Sequence, residues 1–178
     1  VHGNPDGLEE LGHQYYRQLT LRNLIEPVPY GIGQYLCNMH DVVRSFAQFV
    51  ARDEALAAHS GETNIVSRLS AHEFLRLSLE SDGLAWSSLQ AQKTLRTLIL
   101  VGHINIKPRD SLVHFPCLRT LCIYSAHVVA LHESLHELKH LRYLSLENTD
   151  ISSLPDSIGK MKLLQYISLS ELLNFHLA

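Results

Sequence analysis

The segment His132-Glu133-Ser134-Leu135-His136 fits HExxH, a pattern in which two histidines one α-helical turn apart bind zinc and the glutamate activates water for hydrolysis. Three cysteines, Cys37, Cys117 and Cys122, are an odd count at spacings that suit neither a disulfide framework nor a CxxC metal knuckle. Reduced thiols of a cytosolic protein are the simplest reading. The chain contains no GxxxxGK[ST] phosphate loop, no nucleophile elbow and no cysteine-protease signature, so no catalytic residue is assigned.

The elements that must position these residues emerge when the chain is aligned with itself. Leu95-Arg96-Thr97-Leu98-Ile99-Leu100 is followed by Leu118 to Ile123, Leu141 to Leu146 and Leu164 to Leu169, each 23 residues after the last. An earlier copy, Phe74 to Leu79, lies 21 residues before the first. Steps of this size fall in the ~20 to 29 residue range of leucine-rich repeats, in which each LxxLxL segment turns its leucines inward onto those of its neighbours. Between the segments the register persists. Leu131 matches Leu154, Leu112 matches Leu135 and Ile158, and Phe115 matches Leu138 and Met161. The expected architecture is therefore α/β: a leucine-rich-repeat solenoid of parallel strands, about five units, over residues 74–178. Its register also opposes the zinc reading, because Leu131 to His136 aligns with Leu154 to Gly159 and places Leu135 in the core and the histidines on a short convex turn. No third ligand stands out, and no metal site is assigned.

Strand alternation predicts three outward rows. The first is Arg76, Thr97, Thr120, Tyr143 and Tyr166; the second is Ser78, Ile99, Cys122, Ser145 and Ser168; the third is Glu80, Val101, Tyr124, Glu147 and Ser170. Arg76, Tyr124, Tyr143, Glu147 and Tyr166 are the candidate protein-binding residues of this concave face. Tyrosine offers rigid area plus a hydroxyl, although solvated ladder residues are an equal reading.

Upstream, Leu8, Leu11, Tyr15 and Leu19 recur at helical spacing, with Glu9 and Glu10 in the first turn where they favour the dipole. Pro27, Pro29, Gly31 and Gly33 predict turns, and Tyr35 to Met39 alternate as a short strand. A second helix is expected from Asp41, which can cap it, with Val42, Phe46, Phe49 and Val50 on one face. Helix, hairpin and helix outline part of a winged-helix domain in residues 1–60, with 61–73 as a linker. DNA is not expected as a partner, since residues 1–60 hold four Arg and no Lys against seven acidic residues. A net charge of -3 with 46% hydrophobic and 19% charged residues predicts a packed globular chain with no affinity for polyanions. No apolar run approaches the ~20 residues of a membrane span. The absence of an initial Met and of a polar cap after the last repeat leads us to expect a fragment whose repeats continue.

Tyr15-Tyr16-Arg17-Gln18-Leu19, Arg22-Asn23-Leu24-Ile25 and Met39-His40-Asp41-Val42-Val43-Arg44-Ser45-Phe46-Ala47, followed by the repeats, resemble plant intracellular immune receptors of the nucleotide-binding leucine-rich-repeat family. Leu154-Pro155-Asp156-Ser157-Ile158-Gly159-Lys160-Met161 also looks like their repeats. The resemblance implies that residues 1–60 end the winged-helix part of the nucleotide-binding module and that Met39, His40 and Asp41 are its Met-His-Asp motif. By that resemblance His40 contacts the β-phosphate of ADP, while Asp41 orients the motif. An imidazole N–H beside a helix start suits a phosphate oxygen; on spacing alone His40 is a surface histidine before a capped helix. The implied protein is a cytoplasmic disease-resistance switch holding ADP or ATP in the full-length parent, whereas this piece, lacking the phosphate loop, holds no cofactor of its own. Its implied partners are the parent's own nucleotide-binding domain and a pathogen effector or guarded host protein, with oligomerisation on activation. The alternative is a repeat scaffold without a switch.

Overall fold

A computed structural model describes residues 5–30, 34–80, 83–104, 110–124, 129–151 and 153–170, and the chain divides into two compact units, Val1–Val50 and Ala51–Ala178.

The first unit opens with α1 (Pro5–Leu21). Proline suits the first helical turn, where its missing N–H has no partner to lose. The helix stops where Asn23 enters the left-handed region at φ 54°. There the Leu24 amide donates to the Leu19 carbonyl (2.9 Å) and the Asn23 amide to that of Thr20 (3.0 Å), the paired bonds of a Schellman ending. An antiparallel hairpin of β1 (Glu26–Tyr30) and β2 (Gln34–Asn38) follows, then α2 (Asp41–Ala51). Pro27 and Pro29, expected in a turn, lie instead within β1. Two residues apart, they can both face the open edge of a two-stranded ribbon and leave the intervening amides to pair.

The second unit is α/β, with six parallel strands in sequential order: β3 (Ala55–Ala58), β4 (Arg76–Glu80), β5 (Thr97–Val101), β6 (Thr120–Tyr124), β7 (Tyr143–Glu147) and β8 (Tyr166–Ser170). Pairing is in register throughout: Arg76 opposes Thr97, Thr97 opposes Thr120, Thr120 opposes Tyr143 and Tyr143 opposes Tyr166. The sheet starts one strand earlier than the LxxLxL signature indicates, because β3 pairs with β4 through Ala55 opposite Arg76. Its sequence, Ala-Leu-Ala-Ala, presents only Leu56 and Ala58 to the core, so it carries too few leucines to be recognised. Residues 55–58 thus pair with the sheet rather than closing the N-terminal segment. Likewise 61–73, expected as a linker, contains α3 (Ile65–Ala71) with Ile65 and Leu69 buried.

Opposite the strands run short 3-10 turns at Trp86–Leu89, Leu112–His114, Val129–Glu137 and Asp156–Lys160. The core lies between the two layers. Leu77, Leu98, Leu121 and Leu144 form one inward column, and Leu79, Leu100, Ile123 and Leu146 a second, all at most 1% exposed. Leu95, Leu118 and Leu141 make a third at 0%, with Leu164 packed against it less deeply. Each such side chain contributes roughly 1.5–3 kcal/mol. Leu112, Phe115, Leu135 and Leu138 close the core from the other layer, where Trp86 meets Phe115 edge-on at 5.5 Å.

One buried polar side chain joins α3 to this core. Gln92 Oε1 accepts from the Phe74 amide (2.8 Å), and its Nε2 donates to the carbonyls of Leu69 (2.7 Å) and His72 (2.8 Å). It thereby satisfies carbonyls that the end of a helix leaves open, and each would cost about 1–3 kcal/mol if left buried without a partner. Leaving the strands, Gly102 (φ 95°) and Asn148 (φ 50°) take left-handed backbone right after β5 and β7. Glycine and asparagine are the residues that tolerate it.

Candidate functional site

Two places gather the candidate residues, and each is built by its neighbouring elements. The first is the junction of β2 and α2. Met39 is half-buried, and His40 and Asp41 are exposed. The helix starts one residue earlier than the capping role expected of Asp41 requires. His40 is the capping residue: its carbonyl accepts from the Arg44 amide (2.9 Å) and its Nδ1 from the Val42 amide (3.3 Å). An imidazole nitrogen that accepts carries no proton, so the proton of the neutral ring sits on Nε2. Asp41 stands in the first turn, where its carboxylate favours the dipole, and faces Arg44 at 3.9 Å across a loose exposed ion pair.

The second place is the open face of the sheet, whose three rows follow the register given above. At its β3–β4 end the charged groups are paired with each other. Arg76 Nη1 reaches Glu54 Oε2 at 3.1 Å, and His59 Nδ1 reaches Glu80 Oε2 at 3.1 Å. At its β6–β8 end the groups are aromatic and hydroxylic. The rings of Tyr143 and Tyr166 stack at 4.6 Å with 8° between their planes, both exposed (36% and 49%). Ser145 donates to Glu147 Oε1 at 3.0 Å, and the Tyr124 hydroxyl is hydrogen-bonded with Ser145 and Cys122.

The middle row departs from the expected outward exposure, since Cys122 and Ser145 are buried at 6% and 0%. Tyrosines at neighbouring positions of both flanking rows supply the bulk that covers them. This burial pushes the Cys122 thiol up to about 11, helped by the Glu147 charge. Burial likewise raises Tyr124, and pushes Tyr143 up to about 12 with the help of Cys122, Tyr166, Tyr124 and Glu147. A thiol held protonated in this way is a poor nucleophile. The cluster is suited to contact rather than covalent chemistry. The buried Cys122–Ser145 floor was not visible in the sequence; the only signal for it was the tyrosine positions on either side.

The HExxH segment lies in the 3-10 turn Val129–Glu137. With about three residues per turn, positions four apart sit roughly 120° apart and do not share a face. Leu135 is buried at 2%. Both nitrogens of His136 are engaged, Nδ1 by the Glu133 carbonyl (2.7 Å) and Nε2 by Glu137 Oε1 (3.1 Å). The side chains of His132 and Ser170 lie outside the described residues. Among the described residues no three His, Cys, Asp or Glu side chains are grouped to hold a metal ion, the three cysteines are unbridged, and no helix is long and apolar enough to cross a membrane. Comparison of the sequence with protein-family models and with curated proteins finds no match.

Proposed function

We propose that residues 51–178 are a leucine-rich-repeat solenoid whose open strand face binds a protein partner, and that the chain is part of a cytoplasmic plant immune receptor of the nucleotide-binding leucine-rich-repeat family. The observation that carries the binding role is the Tyr143–Tyr166 stack beside Tyr124 and Glu147. Large rigid rings left exposed next to hydroxyls and a carboxylate are the composition of an interaction hot spot, and the sheet holds them in fixed register.

The switch role rests on the Met39-His40-Asp41 sequence and on the tautomer of His40. With Nδ1 occupied by the helix amide, Nε2–H is left as an exposed donor, which fits a phosphate oxygen of ADP in the full-length parent. Asp41 holds the start of α2 and so the backbone that aims His40. Bound nucleotide would supply the charge that distinguishes the closed from the open receptor, and the parent's nucleotide-binding domain is the intramolecular partner. A pathogen effector or guarded host protein is the partner proposed for the strand face.

The test is the full-length parent. A phosphate loop upstream of Val1 in its reading frame supports the switch, as does constitutive defence signalling from Asp41→Val. A parent without that loop, whose signalling is unmoved by Asp41→Val, leaves the second reading. That reading, a repeat scaffold without nucleotide control, is favoured by the same tyrosine cluster.

A further inference from the structure

Across the core from the strand face, a groove of about 810 Å³ opens between the 3-10 turns Val129–Glu137 and Asp156–Lys160. Lys139, Lys160 and Lys162 line it together with His136, Glu133 and Met161. Lys139 and Lys162 are 23 residues apart, so the repeat stacks them on adjacent turns, and Lys160 joins them from the end of the second turn. His136 and Glu137 neutralise one another at 3.1 Å. Glu133 is then the one remaining carboxylate in a lining that holds three ammonium groups. None of the three lysines has an ion-pair partner among the described residues.

Like charges gathered on one wall repel, and an arriving anion relieves that repulsion. Lysine ammoniums serve phosphate as rotatable point charges without demanding a planar partner. The volume lies within the ~300–1,000 Å³ of small-ligand sites, and the apolar part of the wall at Met161 can take a non-ionic portion of the ligand.

From this grouping we propose that the groove binds a small anion bearing two or more phosphoryl groups, either free or as the headgroup of a lipid. The site is independent of the strand face and of His40. The test is calorimetric titration of the 178-residue chain with inorganic tripolyphosphate at low salt. One-to-one binding is expected, weakened roughly tenfold or more in Lys139→Ala/Lys160→Ala/Lys162→Ala and retained when the three are Arg. Unchanged Trp86 fluorescence verifies that the alanine variant is folded. Vesicles carrying a bisphosphorylated phosphoinositide separate the sources. Sedimentation with them that the alanine variant loses assigns a lipid headgroup, and tripolyphosphate binding without sedimentation assigns a free ligand. Binding of neither probe, or equal binding by the alanine variant, overturns the proposal.

Discussion

In residues 51–178 the inward leucines of β4 through β7 are shielded almost completely, whereas in residues 1–50 the apolar positions of both helices stay open to solvent. Leu19 is 41% exposed, Tyr15 62%, Phe46 67% and Val42 71%. Among the described hydrophobic residues of the first unit only Ile25 is buried. The contrast separates two ways a sequence can specify structure. A repeat guarantees each apolar side chain an identical neighbour one turn away, so burial is built into the period. An amphipathic helix guarantees only that its apolar residues share a face, and what covers that face is a separate matter.

The sharpest way to break this comparison is a matched pair of leucine truncations. Leu118→Ala, in the fully shielded column, is expected to cost about 3–5 kcal/mol; Leu19→Ala, on the open face of α1, less than about 1 kcal/mol. The chain has one tryptophan, Trp86, buried in the second unit, so its fluorescence during urea unfolding reports that unit alone. Far-ultraviolet circular dichroism adds the helices of the first. Equal losses at the two positions would mean that the face of α1 is covered after all.

The same contrast explains what was legible in the sequence. The strand register of β4 to β8 and the outward rows followed from a strict 23-residue period, which leaves no freedom in which side chain points inward. Where the period lost its leucines, at Ala55-Leu56-Ala57-Ala58, the strand was invisible although its backbone pairs as the others do. Residues 61–73 went unread for a related reason, since α3 is only two turns long and depends on Gln92, distant in sequence, to satisfy its end. Proline spacing in β1 was misread because a turn and an edge strand both accept proline. His40 rather than Asp41 caps α2, a difference of one residue that only backbone geometry decides. Burial of Cys122 and Ser145 depends on which way neighbouring tyrosine rings lie, and no linear pattern encodes that.

A smaller effect probes the tyrosine end of the sheet by pH. Cys122 is pushed from 9.0 to about 11 in the folded state, so above pH 9 the unfolded chain loses this proton first. Stability of the second unit should therefore be intact below about pH 9, and should fall as the pH rises toward 11, by at most about 2–3 kcal/mol. Tyr143, raised in the same direction to about 12, extends the fall upward. Urea unfolding followed by Trp86 fluorescence at pH 8 and 10.5 checks the direction, and Cys122→Ala should flatten it. A pH dependence unaltered in that variant would show that the thiol is not the group responsible.

The smallest effect belongs to the first unit, and it tests whether local geometry alone fixes α1. Asn23 ends that helix with left-handed backbone at φ 54°, where a β-carbon without asparagine's local hydrogen bonding is disfavoured by roughly 1–2 kcal/mol. Asn23→Ala should therefore fray the end of α1 and lower helicity, while Asn23→Gly should leave it nearly unchanged. Neither substitution touches an inward leucine of the sheet, so neither should move the Trp86 transition. If Asn23→Ala shifts the fluorescence and helix transitions together, the two units melt as one, and the distinction between repeat-built burial and locally fixed helices does not extend to their energetics.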